Sequence, residues 1–481
     1  MWYYGFTLLG LWFLSTIWVG VRSPLRKIPG PVVARISGLW LIYQDLQGRR
    51  SNVIHRLHLK YGPVVRIGPR QVSFSSAEAV RDIYGARNKL IKAPAYEAFG
   101  RQSSFTIRDR DAHRQRQKQI AHVFSPSAVA AVEPLVEEQV AQLVSQMLKH
   151  ASQPIDIMEW FRIFALDVVG SVFLGKSFDG LSTGKAPRIL HELDDVFPSL
   201  WAEWQFSTIR PFLLMLPIKS LTEFLKIGPA FYDHGRLAFD EYVATKGRSG
   251  DGRDLLGKLV RGNDKVQPLL DQEIVFEITN LIFAGTDTTS NTLSYLFYEL
   301  AKLPAWQAKL QAELDENGIK SDPSYKDVSD LPVLDALIHE TLRFHPAAPA
   351  SLQRLTPQSE DLVIDGVLIP ADTTVSCQSF TNQRDPELFP NPDQFNPGRW
   401  LNAPEVQLEA MYNRIFVWGK GQRSCLGKQL AMMELKLVTA ALMRNFCVEL
   451  GSDTTDSDME MTDHFTLIAK GKKCILKMNI R

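Results

Sequence analysis

The sequence predicts a mainly helical fold with a small β region, preceded by one apolar N-terminal helix. Three observations carry this. Residues 127–174 and 186–245 read as mostly helical, and a long apolar helix runs from Pro268, well placed at a helix start, to Leu303, where Pro304 ends it. Strand patterns are confined to Val64–Gly68 and Gln71–Ser75 on either side of Pro69, to the segment after residue 350, and to the end of the chain. The third observation is the run from Trp2 to Val21, which carries no charge and is rich in Leu, Trp, Phe and Tyr.

A helix of that last length rises about 30 Å, the hydrocarbon thickness of a bilayer. Arg22, Arg26 and Lys27 follow it, which favours a cytosolic location for everything after the span. The rival, a cleaved signal peptide, wants positive charge before the apolar run and small residues at a cleavage site, and neither is evident. Residues 1–22 are therefore expected to be a membrane anchor. Residues 23–34, with Pro24 and Ile28-Pro29-Gly30-Pro31, form a stiff hinge, and residues 35–481 the main folded domain.

Composition narrows the class. The 481 residues suffice for one large domain or two to three average ones, and 45% hydrophobic with 22% charged residues is a globular balance. A net charge of +1 gives no support to nucleic-acid binding. The four cysteines, Cys377, Cys425, Cys447 and Cys474, show no metal-finger or redox spacing in a chain far larger than a disulfide-stapled scaffold, and read as reduced.

Further elements follow in order. A helix starts at Ala77. The stretch Tyr96–Asp109 carries Phe99, Phe105 and Ile107 without clear periodicity. Asp111–Phe124 is a basic amphipathic helix whose charged face is as consistent with plain solvation as with binding. Phe197, Pro198, Trp201, Trp204 and Phe206, then Pro211 to Pro217, make aromatic, proline-broken segments suited to an apolar lid beside the membrane. Lys246–Arg253 is a flexible, exposed loop.

The chemistry concentrates in FVWGKGQRSCLGKQLA, residues 416–431. Gly419, Gly421 and Gly427 let the backbone turn sharply and approach something flat. Cys425 stands at the mouth of a helix, where free N–H groups and the dipole favour the metal-binding thiolate. Arg423 adds a cation on which a carboxylate could dock. A phosphate loop is excluded by spacing and by Gln429 in place of Ser/Thr; a dinucleotide fingerprint is excluded by Ser424 where the third glycine belongs. In the middle of the long helix, Ala284 and Gly285 leave room on one face. A threonine hydroxyl one turn along can bond back to a carbonyl and open the helix there. Glu340 and Arg343 form an i,i+3 pair, and the zinc motif that HETLRFH mimics fails because Arg343 replaces the second histidine.

Trp418-Gly419-x-Gly421-x-Arg423-x-Cys425-x-Gly427 resembles the haem-binding loop of the cytochrome P-450 family, FxxGxRxCxG, with Trp418 in place of the leading Phe. Ala284-Gly285-Thr286-Asp287-Thr288 is similar to the family's AGxDT, and Glu340-Thr341-Leu342-Arg343 to its ExxR. The resemblance implies a triangular helical prism holding haem b between the long helix and the helix after Cys425. By the same resemblance Cys425 is the axial ligand on iron, Arg423 and Arg354 meet haem propionates, Gly427 lies close to the haem, and Ala284 with Gly285 faces it. Asp287 and Thr288 relay protons. Glu340, Arg343 and Arg399 form a buried charged trio, a folding device because breaking one member strands a charge. On the basic helix His113 matches the first propionate position. The family's arginine four residues on is Gln117 here, which leaves Arg116 and Lys118 as candidate cations. Trp418 is expected to pack beneath the porphyrin, with an indole N–H that could bond the sulfur and raise the iron's potential. Phe105, Phe197, Ala350, Leu352 and Phe465 are expected to line the substrate pocket.

The implied activity is insertion of one oxygen atom of O2 into a lipophilic small molecule. Electrons would come from NADPH through a membrane-bound NADPH–cytochrome P-450 reductase docking near Lys420, Lys428 and the basic helix, with cytochrome b5 as a second donor. The implied location is the endoplasmic reticulum membrane, single-pass, with the catalytic domain cytosolic. The rivals are a haem-thiolate enzyme that rearranges oxygenated substrates without a reductase and a non-catalytic haem sensor; the retained Asp287–Thr288 pair argues against both. AGTDTT, QRDP and FNPGRW look most like filamentous-fungal enzymes of secondary metabolism, whose substrates would be terpenoids, polyketides or alkaloids.

Overall fold

The computed structural model describes residues 23–86, 88–99, 102–206, 210–248, 250, 252–262 and 267–481. The expected anchor, residues 1–22, lies outside the described residues, and so does the side chain of Phe197. Among the described residues no helix is long and apolar enough to cross a membrane.

The central helix spans Asp271–Lys302, 32 residues, or about 48 Å at helical rise. It starts three residues after Pro268 because the Glu273 carboxylate turns back to accept the Leu270 N–H at 2.9 Å, capping the first turn. A helix apolar on several faces must be buried on several faces. Ile157–Val169, Lys219–Lys246, Pro304–Glu316, Pro332–Phe344 and Lys428–Asn445 all pack on it. One aromatic segment departs from expectation. Helix Arg188–Gln205 runs through Pro198 unbroken. Proline removes one ladder bond, and packing against Lys219–Lys246 and Pro94–Phe99 holds the remainder.

The β region is a five-stranded sheet in the order Val64–Gly68, Gln71–Phe74, Thr374–Cys377, Arg354–Leu355, Ile91–Lys92. Gln71–Phe74 and Thr374–Cys377 run parallel, and the other pairs antiparallel. At its far edge Lys92 stands directly opposite Arg354. A second sheet joins Pro154–Asp156, Ile475–Ile480 and Phe446–Leu450, and Met461–His464 with Thr466–Ala469 forms a hairpin.

Glu340 and Arg343 are fully buried and meet through two 2.8 Å bonds. Arg399 joins at 3.1 Å, while the Asn396 N–H at 2.7 Å and the Trp400 indole N–H at 2.9 Å complete the carboxylate's shell. Arg343 spends its remaining donors on the carbonyls of Gln383, Pro392 and Gln394. The side chain of Gln383 then donates to Leu342 and Arg343 carbonyls and accepts the N–H groups of Phe416 and Val417 at 2.8 and 3.0 Å. The charged trio is thereby coupled to the start of the cysteine loop. The sequence reading used Gln383 only as the first residue of QRDP, a mark of kinship, and gave it no structural role.

Candidate functional site

The cysteine loop is held in shape by its own backbone. Gly419 and Gly421 take φ of 66° and 65°, which L side chains avoid. A Cβ on Gly421 would overlap the Tyr84 carbonyl, so the loop seats on the end of helix Ala77–Tyr84 only with glycine there. The Cys425 N–H donates to the Trp418 carbonyl at 2.8 Å. Helix Lys428–Asn445 begins just beyond, and the N–H groups of Gly427 and Lys428 favour the thiolate of Cys425. Burial outweighs them and pushes the thiol up, so a bound metal is what would keep the sulfur deprotonated. Cys425 lies deep in the molecule yet is exposed, which marks it as facing an internal space, and a Cβ on Gly427 would likewise meet nothing within 4 Å. Trp418 is half-buried against the core, and its indole N–H donates to nothing among the described residues. The bond to sulfur considered above is not formed.

The central helix shows the same signature. Ala284 is exposed and Gly285 and Thr288 half-exposed within a turn whose other members, Phe283, Thr286 and Asp287, are buried. Thr288 Oγ1 donates to the Ala284 carbonyl at 2.7 Å, the back-bond expected of it. Gly285 has a further reason to be small: its missing Cβ would stand 2.6 Å from Val169 Cγ2, so only glycine lets helix Ile157–Val169 cross there. Asp287 lies 3.8 Å from Arg162 and lines a cavity of about 880 Å³ with His191, Asn291 and Lys472.

Cations crowd the edge of the site. Lys92, Arg110, His113, Arg354, Lys420 and Arg423 surround a cavity of about 420 Å³ with no carboxylate among the described lining residues. Arg423 Nη1 is buried without a hydrogen-bond partner. Burial and Arg354 push the Arg423 guanidinium down to about 9. Burial, Arg423, Lys92 and Arg354 push His113 down to about 3, so its imidazole is neutral and shares a 3.2 Å contact with Gln117. Such a cluster lacks negative charge, and an orphaned arginine N–H in it fits a group bearing carboxylates.

The other two candidate cations are not there. Arg116 is buried with its guanidinium on Glu273 and Glu277 of the central helix, the latter at 2.8 Å, and on the Gln102 carbonyl at 3.2 Å. Glu277 also accepts the N–H and hydroxyl of Ser104 at 2.7 Å each, so Arg116 belongs to a clamp between the basic helix, the loop after Phe99 and the central helix. Lys118 is exposed.

A cavity of about 630 Å³ is lined by Ala350 and Phe465, by Tyr96 and Phe99 of the Tyr96–Asp109 loop that the family resemblance makes the roof of the substrate pocket, and by Asp45 and Arg50, which the sequence reading did not name. Phe105 packs edge-on against Phe99 and Phe465 with ring centres 5.3 and 5.7 Å apart. Leu352 is not on that wall. Its side chain is 3.8 Å from the Cβ position of Gly419, and its carbonyl accepts the Tyr84 hydroxyl at 2.6 Å.

A cysteine open to an internal space at a helix mouth, a facing helix with an exposed alanine and a threonine, and an unneutralised cationic edge fit haem, which Cys425 would hold through the iron and Lys92, Arg354 and Arg423 through the propionates. The class is a haem-thiolate protein. The sequence profile of the family described as Cytochrome P450 matches residues 28–476, and the chain belongs to that family. Its activity is accordingly that of a monooxygenase, an oxidoreductase. Similar curated proteins are fungal. Pisatin demethylase of Fusarium vanettenii is 31% identical over 462 residues, 92% of this chain and 88% of that protein. Cytochrome P450 monooxygenase tazI of Aspergillus terreus is 29% identical over 474 residues, 96% of each chain. Tryprostatin B 6-hydroxylase of Aspergillus fumigatus is 30% identical over 452 residues, 92% of this chain and 78% of that protein.

Proposed function

We propose that this chain is an NADPH-reductase-dependent monooxygenase that hydroxylates or epoxidises a lipophilic natural product in fungal secondary metabolism. The single observation that carries it is the placement of Cys425, just before helix Lys428–Asn445, and of Ala284 with Thr288 on the central helix, all open to the interior where these two helices pack together. When bound through the Cys425 thiolate, haem supplies the oxygen-activating chemistry by which one atom of O2 enters a C–H or C=C bond. The remaining roles belong to the protein. The carboxyl of Asp287, buried beside Arg162 and open to a polar cavity, takes protons from solvent on the side of the helix away from the substrate. Thr288 Oγ1, steadied by its 2.7 Å bond to the Ala284 carbonyl, passes a proton on into the site. Phe99, Phe105 and Phe465 form an apolar wall that excludes water and orients the substrate. Relatives named for a demethylation and a hydroxylation support oxidation at carbon.

Several finer readings belong to the same proposal. Residues 1–22 anchor the chain in the endoplasmic reticulum membrane with residues 35–481 in the cytosol, and residues 23–34 are the hinge. Apolar side chains exposed on the first helices (Val32, Leu39, Tyr43, Leu46) and after residue 210 (Phe212, Met215, Ile218) support contact with a membrane surface. Exposed Lys118 and Lys428, near Lys420, suit an acidic electron donor, either the reductase or cytochrome b5. The test is oxygen consumption driven by NADPH in the presence of reductase. Wild type should consume oxygen only with reductase, and Thr288→Ala should lower substrate oxidation by about two orders of magnitude or more, the range of a lost proton-transfer group. Indifference to both would overturn the reading.

A further inference from the structure

We infer that Lys92 is the cation that takes the place of the helix arginine replaced by Gln117, and that it ties the acidic edge of the haem to the roof of the substrate pocket; this rests on the haem reading above. The basic helix has no cation to offer. Gln117 is engaged with His113, Arg116 with Glu273 and Glu277, Arg114 with Asp111, and Lys118 points to solvent. Arg110 reaches the cavity but is held by the carbonyls of Asn88 and Ala86.

Lys92 comes from a different element. It is 6% exposed on the edge strand Ile91–Lys92, directly opposite Arg354, which is also 6% exposed. Like charges facing each other across a ladder repel, and inside a protein that repulsion is poorly screened. The arrangement becomes favourable once an anion lies between them. Arg423, with its orphaned N–H, closes the same cavity. Of the three donors on the Lys92 ammonium, one is used by the Phe105 carbonyl.

The same side chain supports the roof. Its ammonium sits 4.3 Å from the ring centres of both Tyr96 and Phe105. The Lys92 carbonyl accepts Arg108 Nε at 2.9 Å, and the Arg108 carbonyl in turn accepts Arg423 Nη2 at 3.3 Å. Tyr96 lines the substrate cavity, and Phe105 packs on Phe99 and Phe465 beside it. An anion bound by Lys92, Arg354 and Arg423 therefore also fixes the loop that carries these aromatics.

The experiment measures haem loss from the purified holoprotein to excess apomyoglobin, with proteolysis of the 94–109 loop as a second readout. Wild-type haem content and its carbon monoxide band report separately on the haem reading, and a haem-free wild type would overturn that reading and this inference together. Lys92→Met should lose haem about tenfold faster or more, as expected for one charge-assisted bond, and its loop should be cut faster. Lys92→Arg should stay near wild type. Gln117→Arg should restore retention in the Lys92→Met background, and by itself should slow haem loss even if the methionine variant does not fold. Lys118→Met should change nothing. Retention unchanged in Lys92→Met, or no slowing by Gln117→Arg in either background, overturns the inference.

Discussion

The cluster around Glu340 and the cluster around Arg354 are both buried and both rich in arginine, yet they are built on opposite plans. Glu340 brings one carboxylate to Arg343 and Arg399, and its oxygens also accept the Asn396 and Trp400 N–H groups. Arg354 stands with Lys92 and Arg423 around a cavity with no carboxylate among its described lining residues, and Arg423 keeps an unpartnered N–H. Charges that hold the fold are neutralised within the chain. Charges meant for a ligand are left short of an anion, and the apoprotein bears the strain of their repulsion.

The largest effect should come from breaking the closed cluster. Arg343→Leu strands the Glu340 carboxylate in the core and should cost about 3–5 kcal/mol, the range for one lost partner of a buried ion pair. Thermal unfolding of the variant, or its failure to appear in the soluble fraction, would show it. Wild-type stability in Arg343→Leu would mean that this cluster is not a folding device.

Glu434 sharpens the comparison, because it is a buried charge with no cation at all. It is 4% exposed, hydrogen-bonded by Thr289, and burial pushes its carboxyl up to about 8. Its unfolded-state value is the ordinary 4.5, so between pH 4.5 and 8 the folded chain holds a proton that the unfolded chain has lost. Its favourable contribution is therefore full below pH 4.5 and disappears as pH rises to about 8. Glu434→Gln should remove this dependence, gaining on wild type by up to a few kcal/mol at pH 8 and by nothing at pH 4.5. Unfolding curves at the two pH values, run on holoprotein, check it; a constant difference would show that Glu434 does not titrate with folding.

The smallest effect tests the open cluster from the apoprotein's side. Arg354→Gln removes one of two facing cations, so the haem-free protein should be unchanged or more stable by up to about 1 kcal/mol, the scale of a cross-strand pair. The same variant should release haem faster than wild type. A loss of apoprotein stability of several kcal/mol would place Arg354 with the folding charges instead.

What sequence reading reached were features written within a few consecutive residues. The glycine-flanked Cys425, the Ala284–Thr288 turn and the Glu340–Arg343 pair lie on single elements, where spacing alone decides which groups share a face. The start of the central helix was placed three residues early, because Pro268 signals a boundary but the Glu273 cap sets it. Leu352 was assigned to the pocket wall with its neighbours, yet it lies against the cysteine loop while Ala350 lines the cavity, because a bend at Ala350 breaks the alternation that would put positions 350 and 352 on one face.

By itself, then, the order of residues determined the helical class, the glycine-flanked cysteine loop and the Glu340–Arg343 pair, since each depends on local periodicity and short-range geometry, whereas Arg399 joins that pair from 59 positions along the chain. Tertiary structure decided which cations meet around the cavity beside the cysteine loop. Lys92 and Arg354 are distant in the chain and become neighbours only when two short strands pair. Arg116, one of the two cations flanking the motif's position at Gln117, is drawn away by two carboxylates on the central helix. Charge acts through distance in space, and distance in space is what folding sets.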